Sequence, residues 1–165
     1  MTPLLRKGLV VAALHVALVA GVGATLLVDR ATKPRVWART APYDPELPIR
    51  GRYVRLRLEA VPAPGFDAPL AYDRNVTLST RNGQLVATPA DSGANLARIT
   101  AREGERIALL AIPVAYFIPE HIPDPSARKP DEELWVEVTV PRKGPPRPIR
   151  LGVRRNGVLT PLEIN

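Results

Sequence analysis

Beyond the apolar N-terminal segment the chain holds a single histidine, His121, in a run that reads Glu120-His121 with Asp124 and Ser126 close behind. An acid, a base and a hydroxyl are the materials of nucleophilic catalysis, in which the acid orients the base and the base activates the nucleophile. Nearness in sequence does not supply that geometry, least of all between Pro119, Pro123 and Pro125. The plainer reading is polar loop surface. A metal site would want more nitrogen or sulfur ligands. The chain has no cysteine, so disulfides, zinc–thiolate centres and cysteine nucleophiles are excluded. Asp131-Glu132-Glu133 are consecutive rather than spaced to wrap a calcium ion, and read as the opening of a short helical turn. Gly51, Gly65, Gly83, Gly93, Gly104 and Gly157 stand singly, as turn glycines do, and form no phosphate cradle. No metal and no cofactor are expected, and the balance leans against an enzyme.

A second constellation is basic. Residues 50–59 read Arg-Gly-Arg-Tyr-Val-Arg-Leu-Arg-Leu-Glu. Strand side chains point alternately to opposite faces. Tyr53, Arg55, Arg57 and Glu59 therefore fall on one face, and Val54, Leu56, Leu58 and Ala60 on the other. Arginine favours carboxylate and phosphate partners. Arg50, Arg52, Tyr53, Arg55 and Arg57, with Glu120 and His121, are the candidate partner- or ligand-binding residues. The plain alternative is a solvated face partly neutralised by Glu59 and by acids across the sheet.

These residues need a scaffold, and the sequence describes one in two parts. Gly8–Val28 is 21 residues without Asp, Glu, Lys or Arg, and about 20 apolar residues span the hydrocarbon core of a bilayer. Arg6 and Lys7 precede it. A cleaved signal peptide would be shorter and end in small residues. Val22-Gly23-Ala24 would serve, but Thr25–Val28 carries the apolar run past it, and the expectation is an uncleaved signal anchor. Its Ala and Gly residues form small-x-x-x-small steps that let helices approach closely in lipid, and His15 lies mid-span. Basic residues flank both ends, so charge alone does not orient the span. A short leader before a large C-terminal domain favours a translocated, periplasmic or otherwise extracytoplasmic domain.

The net charge is +7. Arg6, Lys7, Arg30, Lys33 and Arg35 against Asp29 put +4 of it beside the apolar span, and the remaining 18 basic and 15 acidic residues leave +3 for the rest. The excess therefore lies where lipid headgroups would be, which favours a membrane partner over nucleic acid. Binding single-stranded nucleic acid would also need aromatics to stack bases on, and most of the eight here sit at apolar positions.

Nineteen prolines, more than twice the roughly 5% expected, cut the remainder of the chain into short strands and stiff loops. Residues 29–49 read as a proline-rich connector in which Trp37 could make a membrane-proximal contact. Arg81-Asn82-Gly83-Gln84 carries Asn-Gly, the strongest short hairpin signal, between Val76 and Thr88. Arg102–Glu105 and Asn156-Gly157 mark two further turns. Ile107–Ile112 reads as a strand buried on both faces, and Leu134–Val140 as one with Leu134, Val136 and Val138 inside. The count is seven or eight strands with hairpin connections: a mainly β antiparallel sandwich or partly open barrel on a membrane tether. The expected organisation is a cytoplasmic leader over 1–7, a transmembrane helix over 8–28, the connector over 29–49 and an extracytoplasmic β-rich domain over 50–165.

Gly51, Tyr53 and Leu56 fit the motif of the bacterial GDYXXLXY family, with Arg52 in place of its Asp and Leu58 in place of its second Tyr. Asp44-Pro45 and Arg50 upstream, and Tyr116-Phe117-Ile118-Pro119-Glu120 downstream, also resemble family segments. The resemblance runs over Trp37–Leu162. It implies an inner-membrane span, an extracytoplasmic β-rich domain and an integral membrane protein as neighbour, with no assigned activity. The lost Asp means that any carboxylate chemistry at that position is not shared. The expected role is an accessory or assembly partner of a membrane protein complex. The alternatives are an envelope enzyme or ligand-binding module using Glu120, His121 and arginines, and an anionic-lipid-binding arginine face.

Overall fold

The computed structural model describes residues 3–41, 53–93, 95–142 and 144–164. It divides into two compact units, residues 1–33 and 34–165.

The first unit is one helix, α1 (Pro3–Thr32). Within it Arg6–Thr32 is long and apolar enough to cross a membrane, and none of its most apolar stretch is buried within the chain. The polar side chains inside it turn back on the helix: His15 Nδ1 lies 2.8 Å from Val11 O, and Thr25 Oγ1 donates to Gly21 O at 2.9 Å. Both contacts are internal to the helix, which lowers the cost of a polar side chain in an apolar medium.

The second unit is built of ten strands: β1 (Arg35–Ala41), β2 (Tyr53–Pro62), β3 (Asp73–Arg81), β4 (Gln84–Pro89), β5 (Asn95–Arg102), β6 (Glu105–Leu110), β7 (Val114–Phe117), β8 (Glu132–Thr139), β9 (Arg147–Arg155) and β10 (Val158–Pro161). β2 is the hub. Its first residues pair with β7, Arg57 and Leu58 with β1, Glu59 and Ala60 with β6, and Val61 and Pro62 with β4. Because β6 returns to β2, the pairing β2–β4–β3–β5–β6–β2 closes a ring. A second layer, β1–β8–β9–β10, joins that ring through β1. Every pairing is antiparallel except the two-residue β2–β4 contact, which is parallel.

The alternation read in β2 holds for the apolar face: Val54, Leu56, Leu58 and Ala60 are buried. With Val76, Ile99, Val136, Val138 and Leu151 they form one continuous core. The Asn82-Gly83 hairpin is present, with Arg81 opposite Gln84 and φ of 50° and 72° at the two turn residues. Two positive φ values define the turn that matches strand twist, and Asn-Gly adopts them at least cost.

The mainly β, antiparallel architecture is as expected, and four details need correction. Among the described residues the strands number ten, not about seven or eight. The connector read over 29–49 contains β1, which pairs with β8 over five residues and puts Val36, Ala38 and Thr40 into the interior. Within β1, Trp37 packs on Gly152 of β9, and Arg150 lies over its ring at 5.3 Å. Ile107–Ile112 is buried on one face only, with Ala108 and Leu110 inside and Ile112 exposed, because a strand of a closed ring turns its other face outward. Asp131–Glu133 is no helical turn: Glu132 and Glu133 open β8 opposite Arg155 and Arg154 of β9. Opposite charges facing across an antiparallel pair stabilise that register.

Candidate functional site

Of the basic constellation, Arg50 and Arg52 lie outside the described residues. Tyr53 stands at the start of β2 and meets Phe117 of β7, its register partner, edge to face, with ring centroids 5.4 Å apart. Both rings are exposed, Tyr53 at 50% and Phe117 at 58%. Arg55 is exposed and Arg57 half-buried. Glu59, expected on this outward face, is buried at 9%. It accepts a hydrogen bond from Arg102 of β5. Val61, the next residue on this face, is exposed again, so Glu59 is covered locally, where Arg102 bonds it.

Arg55 lines a cleft of about 420 Å³. Its walls come from four segments: the end of β1 (Arg39–Ala41), β2 (Arg55 and Leu56), the β5–β6 turn (Arg102 and Glu103), and the stretch from Ser126 into β8. Thr40 Oγ1 donates to Leu134 O at 2.8 Å and fixes the β1 wall against β8.

The charges in the cleft are mostly matched. Arg39 Nη2 lies 2.6 Å from Glu133 Oε1 and 3.8 Å from Glu103 Oε1. Glu133 also accepts from Trp135 Nε1 at 3.0 Å. Two of the cleft's acids are met by Arg155, which does not itself line it: Arg155 is paired with Glu132 and lies 3.3 Å from Asp131. Arg128 reaches Glu132 only at 3.8 Å, and its buried Nε has no hydrogen-bond partner among the described residues. Arg55 has no hydrogen bond or ion pair among the described residues. The exposed guanidinium of Arg55 presents donors in a planar fork to which a carboxylate or phosphate would bind.

The sequence cluster around His121 does not come together with these arginines. Glu120 and His121 are exposed in a turn closed by Ile122 N–H donating to Pro119 O at 3.2 Å, and neither lines the cleft. Asp124 accepts from Ser126 N–H at 2.8 Å, which shapes the loop that brings Ser126 to the cleft rim. Ser126 therefore arrives without a base. Among the described residues no group of three or more His, Asp or Glu is placed to hold a metal ion.

No local pattern in the sequence links Arg39 and Arg102 with the acids 131–133, because strands distant along the chain bring them together; Arg128 is a near neighbour of those acids, four residues before Glu132. Outside the cleft, the Arg98 guanidinium hydrogen-bonds Asp73 through Nε and Nη2, at 2.8 and 2.9 Å, and holds its carboxyl below the usual range.

Searches against protein-family models, curated proteins and solved structures find no match for this chain.

Proposed function

We propose that the chain is a single-span, membrane-anchored β-domain that serves an integral membrane protein as accessory or assembly partner and performs no chemistry of its own. The observation that carries this reading is α1: Arg6–Thr32 is long and apolar enough to cross a membrane, and none of its most apolar stretch is buried. An apolar helix of that length needs lipid or other membrane helices around it. The domain sits on the extracytoplasmic, periplasmic side of a bacterial inner membrane, as the resemblance of Gly51, Tyr53 and Leu56 to the GDYXXLXY family favours. The exposed Tyr53–Phe117 pair and Arg55 are the recognition elements, since aromatic residues and arginine dominate the energetics of protein interfaces. Affinity purification of the full chain in mild detergent should recover an integral membrane protein in stoichiometric amount. Recovery of the chain alone would contradict the proposal.

A second reading, a module that binds a small anionic ligand, is favoured by the open guanidinium of Arg55 in a cleft of about 420 Å³. Saturable binding of inorganic phosphate or succinate, lost in Arg55→Ala, would select it over the first.

A further inference from the structure

Three exposed arginines gather at the end of the domain that is joined to α1. Three links define that end. Arg35 opens β1 in register with Thr139 of β8, and Thr139 is in register with Arg147 of β9. The three residues therefore form one row across three strands. Val140 N–H donates to Pro34 O at 3.1 Å, which ties the β8–β9 connection to the segment leading into β1. That connection carries Arg142 and contributes Gly144 O, which accepts from Asn95 Nδ2 at 3.3 Å. Arg35, Arg142 and Arg147 are all exposed. The adjoining β4–β5 connection contributes a single acid, Asp91. The opposite end of β1 and β8 carries acids among its arginines, with Arg39 held by Glu133 and Glu103.

Only Lys33 and Pro34 separate Thr32, the last residue of α1, from Arg35. Three backbone steps reach at most about 11 Å, close to the distance over which charge acts at physiological ionic strength. Resting on the membrane-span reading, we propose that Arg35, Arg142 and Arg147 form a basic collar that holds this end of the domain against anionic lipid headgroups of the bilayer carrying α1. Folding brings Arg142 and Arg147 more than 100 positions back to the juxtamembrane arginine, which turns a short basic flank into a surface. Clustered Lys and Arg next to a span are attracted to anionic lipid. This surface is separate from the Arg55 cleft, so the lipid contact leaves the cleft available for a partner.

The chain has no cysteine, so single nitroxide labels can be placed on the full chain at Pro145, at Glu105 in the β5–β6 hairpin, and at Val19 within α1. Proteoliposomes are made of phosphatidylcholine with or without phosphatidylglycerol, and relaxation by nickel chelated at the headgroups is read. The collar requires the Pro145 label to be relaxed at least about threefold more when phosphatidylglycerol is present. High salt and the pair Arg142→Glu, Arg147→Glu should abolish the gain, Arg142→Lys with Arg147→Lys should retain it, and the Glu105 label should not respond. A Pro145 signal indifferent to lipid charge, with Val19 reading as membrane-buried, would overturn the collar alone. A Val19 label that reads as water-exposed would overturn the membrane reading and the collar with it. Relaxation that needs an added acidic protein instead of lipid would assign the surface to a protein partner and end the lipid proposal.

Discussion

Trp37 Cζ3 lies 2.9 Å from the point where a Cβ on residue 152 would stand, so the indole of β1 occupies the space that Gly152 leaves on β9. The two residues sit on the outer layer with β8 between them, and the ring bridges that strand. Arg150 covers Trp37 at 5.3 Å and is itself held by Glu137 at 2.7 Å. Arg154 repeats the arrangement over Trp135 at 5.1 Å. β1 is thus fastened to the sheet by a side-chain stack as well as by backbone pairing.

Gly152→Ala should destabilise the domain by about 1–3 kcal/mol, because the indole must shift out of a packed site and Thr160 O lies 3.1 Å away on the other side. Trp37→Leu in the same chain should relieve most of that penalty. Denaturant unfolding of the detergent-solubilised chain checks both. An additive pair would show that the two residues are not in contact.

The Glu59–Arg102 pair is an enclosed ion pair of the ring, with the Glu59 side chain 7% exposed and Arg102 31%. Arg102→Met leaves a buried carboxylate without its donor and should cost about 3 kcal/mol. Glu59→Leu combined with Arg102→Met should recover most of the loss, since an apolar pair needs no compensation. If the single and double variants unfold alike, the pair is not what stabilises this part of β2.

Asp73 and Arg98 give a pH dependence with a defined sign. Hydrogen bonds from Arg98 lower the Asp73 pKa in the folded state. The stabilisation is therefore complete above the ordinary carboxylate pKa of about 3.9, and is lost as pH falls through the lowered folded value. The Asp73 carboxyl resonance should titrate below the ordinary midpoint, and Arg98→Ala should return it there. A midpoint unchanged by Arg98→Ala would contradict the contact.

Several of these relationships could be read from the sequence, and others could not, for physical reasons. The strict alternation of β2 and the Asn82-Gly83 turn are local signals, and both were legible. β1 was not. Its inward residues Val36, Ala38 and Thr40 are small or polar, and its pattern is followed by Pro42, Pro45 and Pro48. Glu59 continued a polar alternation perfectly, and nothing local shows that Arg102 would bury it. The same holds for the cleft. Asp131–Glu133 resemble any solvated acidic run until Arg39 and Arg155 are placed beside them. Conversely, Glu120 and His121 looked chemical because they were adjacent, and the fold leaves them on an exposed turn.

The most direct test of the accessory role is photocrosslinking in living cells from a photoreactive residue at Arg55 or Phe117 of the full chain. The expected result is one adduct of defined mass with an integral membrane protein, absent when the same residue replaces Asn82. Adducts only with the chain itself, or none from either position, would contradict a partner at this face.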